Sequence, residues 1–443
     1  MAYTHITNGA LKTQLANQLG DPGNVYWPAD ELGLLLAESL RTWQALTGFW
    51  RDRGQFGLTP LVPFYDITVQ LPALLAYTVT DQDLVGAIQY HLLEPKLVSG
   101  WSGTEMWTLA DVTAAIQRQR NQLLHDTACR VVRDNTIVVG AGNGRVDLPA
   151  ATIDIRRAAW VGADGTVTPL RRSDPLVRGS LSSSLTPATP RTFSVASEPV
   201  LRLELIPPPL DNGTLDLLLV QSDTDLAPQT SATVLNVPDD YCWIIKWGAL
   251  ADLLSKDGPG RDPQRAAYCR NRYTQAVDLL RTMPLIVAAE VNGIPRIPSP
   301  MSSLDCTPGW QTTTGVPRIP AIAAANMIAV YPVLPNDGSS GSVTLDVICN
   351  APIPVDDGEF VQLGKEQLDA VLAYAEHLCL FKQGGANFYF SARLLNDFIR
   401  AAGVYNKRLA AQSRYRETTN RQSTAETGPN PARWKRERDV ALQ

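Results

Sequence analysis

The chain has 443 residues, enough for about three domains by the usual length relation, and its 44% hydrophobic and 19% charged content is ordinary for a soluble globular protein. Its 39 basic and 44 acidic residues give a net charge of −5, which excludes an overall electrostatic attraction to nucleic acid or to an acidic membrane. No apolar run is long enough to span a bilayer, and the N-terminus lacks the pattern of a secretory signal, so we expect a soluble protein with no membrane contact.

Residues 1–130 are predicted to form an N-terminal helical region with a short strand. Leucines and tryptophans recur at spacings of three and four between Pro28 and Gly48, which indicates one helix with an apolar face that begins after the proline and ends near the glycine. The same region contains a predicted strand, 61–72, and further helices at about 81–93 and 109–127.

The next segment, residues 131–235, changes to short alternating runs separated by Gly, Pro, Asp and Ser, which predicts an antiparallel β module. Within it, the polar stretch 178–191 is expected to be an exposed loop or arm. The remaining predicted segments are a helical hairpin, 236–283; a Pro-rich extended linker, 284–325; a second hairpin plus helix pair, 326–412; and an extended basic C-terminal tail, 413–443. The predicted fold class is α+β, a helical bundle with hairpins, an inserted antiparallel β sandwich or barrel, and a second small β-hairpin unit.

One unit, two short strands around an Asn/Asp-Gly turn followed by two helices, is predicted to occur twice. The tripeptide Thr-Leu-Asp occurs in both second strands, at residues 214–216 and 344–346. A shift of 126 residues also aligns five identical pairs in the helices: Ala249 with Ala375, Leu254 with Leu380, Lys256 with Lys382, Gly258 with Gly384 and Ala276 with Ala402. The alternative is two unrelated helical hairpins, because five identities are few.

The sequence contains no pattern of residues that predicts catalysis, a cofactor or a metal. Gly140, Gly142 and Gly144 precede strand-like residues rather than a helix, so they indicate a β-hairpin loop and not a phosphate site. The pairs Asp239–Asp240 and Asp356–Asp357 each precede a predicted helix, where carboxylates cap free amides. The four histidines (His5, His91, His125, His377) lie far apart in the sequence, so they do not predict a catalytic or metal site. The six cysteines are also widely spaced, and we interpret them as reduced, mostly buried thiols.

The C-terminal tail is the one segment that indicates a partner. From Ser413 to Gln443 it has seven basic and four acidic residues, so its net charge is positive, whereas the net charge of the whole chain is negative. A lone Trp434 among basic residues is typical of an anchor that becomes ordered on a partner, although a solvated tail is the alternative. The predicted docking residues are Arg433, Trp434, Lys435, Arg436 and Arg438.

Three stretches of the chain, residues 31–53, 147–174 with 193–209, and 237–281, together resemble tailed-bacteriophage virion proteins of the head-to-tail connector, or adaptor, type. The resemblance implies a non-enzymatic ring, typically a dodecamer, beneath the portal protein and above tail or nozzle proteins. The implied partners also include neighbouring copies and double-stranded DNA, which passes through the lumen without sequence-specific binding. The implied location is the head-to-tail interface of the virion, after synthesis in the host cytoplasm, and the extended tail would insert into the portal.

This chain is larger than a simple adaptor, so other structural roles stay open. A tail tube or baseplate component is the first alternative. A carbohydrate-binding or receptor-recognition tail protein is the second, although wall hydrolases need paired acids that the sequence does not offer. A cytosolic assembly chaperone is the third.

Overall fold

The computed structural model describes residues 5–93, 106–174, 186–197, 201–222, 224–228, 230–282, 285–307 and 309–425, with side chains as far as residue 410. The helices are α1 Asn8–Gln18, α2 Ala29–Thr47, α3 Ile67–Gln70, α4 Pro72–Leu75, α5 Asp81–Leu92, α6 Leu109–Thr127, α7 Trp243–Ser255, α8 Pro263–Thr282, α9 Met301–Asp305, α10 Lys365–Gln383 and α11 Gly385–Ala425. The first ten strands are β1 Arg51–Gly57, β2 Phe64–Asp66, β3 Val131–Asp134, β4 Val138–Val139, β5 Arg145–Asp147, β6 Thr152–Gly162, β7 Val167–Arg172, β8 Thr192–Ser197, β9 Leu201–Ile206 and β10 Gly213–Gln221. The others are β11 Ile286–Val291, β12 Ile294–Arg296, β13 Ser299–Pro300, β14 Ile319–Ala324, β15 Met327–Tyr331 and β16 Ser342–Ile348. The predicted α+β class is confirmed.

The helices begin and end where local sequence signals place them. Helix α2 starts after Pro28 and stops at Gly48, whose φ of 53° is a left-handed conformation that glycine adopts at low cost. Helix α6 begins with a capping box in which Thr108 and Asp111 exchange hydrogen bonds. The predicted ranges of α5 and α6 agree with the structure within one residue.

The β module is an eight-stranded half-barrel. Its strand order is β3-β10-β6-β7-β8-β9-β5, with β4 also on β10. Because β4 pairs with β10 and β5 pairs with β9, the short turn between them spans the two ends of the sheet, and the amide of Gly142 donates to the carbonyl of Pro209 at 2.7 Å. The predicted hairpin loop at Gly140 to Gly144 is therefore wrong, since β4 and β5 do not pair with each other.

The second β region is a two-sheet sandwich, with strand orders β1-β16-β11-β12 and β13-β14-β15-β2. A shared apolar core lies between the sheets and includes Phe56, Tyr65, Ile328 and Leu345. Strands β1 and β2 come from the N-terminal region, so the sandwich is built from both halves of the chain. The residues that the sequence predicts as an extended linker contribute β11 to β14 and α9.

Both predicted hairpins are wrong in their strand pairing. Strands β9 and β10 lie in one sheet but are separated by β6, β7 and β8. Strands β15 and β16 lie in different sheets of the sandwich. Strands β9 and β15 instead pair with the strands just before them, β8 and β14, while β10 and β16 pair with strands from earlier parts of the chain.

The duplication itself is present, and it is larger than the sequence predicts. We define the inner unit as α5, α6, β3, β10, α7 and α8, and the outer unit as α1, α2, β1, β16, α10 and α11. In each unit a helix leads into a strand that pairs with a later strand, which is followed by two packed helices. The inner unit is nested in the outer one, because the whole of it lies between β1 and β16.

Equivalent contacts hold the two units together internally. An isolated β-bridge joins Thr80 to Val234 in the inner unit and Thr7 to Phe360 in the outer unit. The indole of Trp107 donates to the carbonyl of Leu253 at 3.3 Å. The indole of Trp27 donates to the carbonyl of Cys379, also at 3.3 Å. Two ion pairs recur in the same way: Lys256 with Asp111 and Lys382 with Glu31 at 2.8 Å, and Arg133 with Asp216 and Arg53 with Asp346 at 2.7 Å.

A buried charge joins the two units. Lys246 of the inner unit contacts the carboxylate of Glu38 in the outer unit, and its ammonium nitrogen is 3.0 Å from Nε2 of His91. The indole of Trp247 donates to the same carboxylate at 3.1 Å. Burial is the main cause that lowers the pKa of Lys246, and the charge of Glu38 opposes it. The ammonium is thus compensated inside the core rather than by water.

Removing one member of this pair is expected to destabilise the protein strongly. Lys246→Met leaves Glu38 buried without its cation and should lower the free energy of unfolding by about 3–5 kcal/mol. Glu38→Gln combined with Lys246→Met removes both charges and should cost much less than the two single changes added together. Urea denaturation of the four proteins at neutral pH measures this, and strict additivity would contradict the pairing.

Candidate assembly surfaces

The described histidines that are buried have structural partners. Nε2 of His377 is 2.7 Å from the hydroxyl of Tyr268, and its Nδ1 is 2.7 Å from Oγ of Ser391. The Ser391 hydroxyl donates onward to the carbonyl of Phe388 at 2.5 Å. This hydrogen-bonded chain ties α8 of the inner unit to α10 and α11 of the outer unit. Burial, followed by the charge of Arg272, lowers the pKa of His377 to about 3.

The acidic pairs do not cap the helices that follow them, so that prediction is wrong. Asp239 instead accepts hydrogen bonds from the amides of Thr78 and Val79 at 2.7 and 3.1 Å. Asp240 accepts from the amide of Ala351 at 3.2 Å, and burial raises its pKa to about 8. Both carboxylates therefore fasten distant segments of the chain to the inner unit.

Asp357 also contacts another element, because it forms an ion pair of 2.7 Å with Lys12 on α1.

Within the described part of the chain, no group of three or more His, Cys, Asp or Glu residues has the arrangement of a metal site. Four of the six cysteines are buried, and all six are free thiols, in agreement with the expected reduced and mostly buried state. No described helix combines the length and apolarity that a bilayer span requires.

A charged network joins the half-barrel to the sandwich. Arg157 on β6 binds Asp305 on α9 at 2.8 Å, and the carboxylate of Asp305 also accepts from the indole of Trp310 at 3.2 Å. Asp216 on β10 accepts from Arg133 at 2.7 Å and from the side-chain amide of Gln311 at 2.6 Å. These contacts fix the half-barrel relative to the sandwich, and Arg157 and Asp305 also line an open cavity of about 910 Å³ between the two β regions.

The outer unit carries an open groove of about 890 Å³ beside the end of α2. Its walls include the rings of Phe49, Trp50 and Phe360 together with Ile353 and two prolines. Phe360 is 60% exposed, which is unusual for a phenylalanine and leaves an aromatic ring available for a partner. Sequence reasoning missed this groove, although an aromatic residue directly after three acids is a usable signal.

Helix α11 is the longest element, with 41 residues. Phe398 and Ala402 of this helix are buried, whereas Phe390 is 81% exposed. Residues 413–425, predicted to be extended, continue the helix. The predicted docking residues Arg433, Trp434, Lys435, Arg436 and Arg438 lie outside the described residues, as do residues 178–185 of the predicted arm.

The chain therefore has the architecture of a structural protein. A duplicated helical framework supports two β regions, an aromatic groove and a long basic helix. In a comparison with family models, residues 77–289 match the SU10 adaptor protein family. The match covers just under half of the chain and supports a phage adaptor protein, a structural component of the virion. None of the curated proteins matches the chain.

The matched segment coincides with a structural unit. It begins at the residues that lead into α5 and ends within β11, so it contains the inner unit complete with the half-barrel. The outer unit and most of the sandwich lie outside the match. The outer unit therefore repeats the helical framework of the matched unit around it.

The burial of His377 gives an acid-dependent stability. Its pKa in the folded chain, about 3, is below the ordinary value of 6.5, so its contribution is complete above pH 6.5 and is lost as the pH falls toward 3. His377→Gln cannot take up that proton, so its free energy of unfolding should fall less steeply between these pH values. The difference in slope should approach about 1.4 kcal/mol per pH unit.

Urea denaturation at several pH values checks this difference. Because burial also lowers the pKa of His91, both proteins keep some slope in the same direction. His125→Gln is the matched control for the loss of one imidazole, since the His125 side chain is 56% exposed. Parallel curves for the wild-type chain and His377→Gln would contradict the assignment.

Proposed function

We propose that the chain is a structural virion protein that forms a ring between the capsid portal and the tail and continues the DNA exit channel. The observation that carries the proposal is the family match over residues 77–289, because it covers one complete helical unit and its half-barrel. The chain acts by assembly rather than by catalysis. The buried charged groups Lys246, Asp239 and Asp240 have partners within the described chain, and the groove and α11 are surfaces that a partner can bind.

Charge supports passage of DNA rather than tight binding. Residues 1–384 contain 28 basic and 39 acidic residues, a formal charge of −11. A lumen rich in lysine and arginine would bind phosphates and retain the genome. An acidic body is therefore suited to a channel through which DNA slides.

Docking to the portal is assigned to the basic residues around Trp434. Tryptophan and arginine are the residues that most often dominate the binding energy of an interface. We expect Trp434→Ala to weaken binding to purified portal rings roughly thirtyfold, the effect of an anchor worth about 2 kcal/mol. Neutralising Arg433, Lys435, Arg436 and Arg438 to glutamine should weaken it at least as much.

Co-sedimentation of the full chain with portal rings measures this binding. Arg261→Gln with Arg281→Gln is the control, because both arginines are exposed and lie on or just before α8. Binding that survives both the Trp434 and the basic substitutions would reject these residues as the docking element. Binding to isolated tail proteins with no affinity for portal would instead support a tail tube or baseplate component.

A further inference from the structure

We infer that the groove of the outer unit receives the basic C-terminal part of α11 from a neighbouring copy of the chain. The inference rests on the proposed function, because it specifies how copies in the ring hold one another. The evidence for it comes from a comparison of the two units. A feature that the outer unit has and the inner unit lacks is not required by the fold that they share.

The first difference is the length of the last helix. The shift of 126 residues that aligns the units takes Thr282, the last residue of α8, to Arg408. The contacts of α11 with its own unit reach the same point: Asn406 donates to the carbonyl of Leu46 at 3.0 Å, and Arg408 pairs with Glu366 at 2.9 Å. Residues 409–425 are thus an extension that the inner unit folds without.

The second difference is the charge of this helix. Residues 385–425 contain seven basic and two acidic residues, whereas residues 1–384 carry a formal charge of −11. Five basic residues recur every seven positions: Arg393, Arg400, Lys407, Arg414 and Arg421. Seven residues are close to two helical turns, so these positions follow one side of the helix.

The first part of this basic row is neutralised within the chain. Asp397 lies 3.8 Å from Arg393 and 3.5 Å from Arg400. The extension 409–425 carries three arginines and one glutamate. An acidic surface complements this excess positive charge.

The third difference is the rim of the groove. Every residue from Val355 to Phe360 is exposed, and the segment contains Asp356, Asp357 and Glu359. Val355 is 83% exposed, so the rim combines negative charge with apolar side chains. In the inner unit the positions equivalent to these acids and to Phe360 are Thr230, Ser231, Thr233 and Val234. The inner unit thus folds without acids or an aromatic ring at these positions, whereas in the outer unit Asp357 is already paired with Lys12 and leaves Asp356 and Glu359 as the free charges of the rim.

Geometry favours a neighbouring copy over the chain's own helix. The ring of Tyr405 contacts Phe49, which lines the groove, at a centroid distance of 5.4 Å. From there α11 continues as one helix, which carries positions 414 and 421 about 13 and 24 Å further along the axis. A continuous helix cannot turn back, so these positions lie well beyond the contact with Phe49. An arm that enters the next copy is a head-to-tail contact, the type that closes rings.

The test is the self-association of the full-length chain, measured by sedimentation velocity at low ionic strength. We expect Asp356→Lys with Glu359→Lys, and separately Arg414→Glu with Arg421→Glu, to lower the association constant at least tenfold. Phe360→Ser should also lower it, and because that side chain is exposed, its effect does not depend on a change in folding. Added salt should weaken the wild-type association, since the contact is between opposite charges.

Charge exchange separates this contact from general repulsion. The rim and arm substitutions combined in one chain should restore association, and so should an equal mixture of the two variants. Asp257→Lys with Asp278→Lys is the matched control, because these side chains are 92% and 68% exposed and lie far from the groove in sequence. A control that is as impaired as the rim variant, a combined variant that stays dissociated, or a wild-type chain that is monomeric would each overturn the inference.

The same variants separate this inference from the proposed function. Rim and arm variants that lose self-association but still sediment with portal rings support the inference and leave portal docking intact. If the arm variant associates normally and fails only on portal rings, the partner of the arm is the portal, and the inference is overturned while the proposed function stands. An arm variant that loses only affinity for DNA would overturn it as well.

Discussion

The pairing of β1 with β16 determines the rest of the structure. Strand β1 follows α2 directly, but its partner comes almost three hundred residues later, and Arg51 is opposite Ile348 in the register. Everything between these strands, including the complete inner unit and the half-barrel, must therefore begin and end at one edge of the outer unit. The buried pair of Lys246 and Glu38 then fixes how the inner unit packs against the outer one.

Because the inner unit is nested in the outer one, the duplicated chain forms one body and not two separate domains. The larger apolar core includes Leu36 and Tyr374 of the outer unit together with Ile116 and Trp247 of the inner unit. The contacts between the units are not reciprocal, since Tyr268 of the inner unit meets His377 of the outer unit through positions that are not equivalent in the two units. The two units also differ in what they present: the inner unit matches the adaptor family, and the outer unit has the long helix and the aromatic groove.

The sequence predicts the helices well because their signals are local. Apolar spacing, Pro28, Gly48 and the capping box at Thr108 lie within the elements that they define. Strand pairing depends on residues far apart, so the Asn/Asp-Gly turns suggested hairpins that the structure does not contain. The acidic pairs were wrongly assigned as caps for the same reason, since Asp240 contacts Ala351 across more than a hundred residues.

The surfaces show a similar division. The composition of the sequence shows that the C-terminal segment is basic. Only the structure shows that α11 is longer than its counterpart α8 and that Phe360 is exposed close to three acidic residues. The duplication is what gives these features meaning. Because the inner unit folds without them, they are available for contacts between molecules.

The most direct test of the proposed role is electron microscopy of the purified chain mixed with its portal protein. The account predicts a second ring stacked coaxially on the portal, with a continuous lumen through both. Portal rings without added density, or density from single chains at the portal rim with no closed ring, would contradict it.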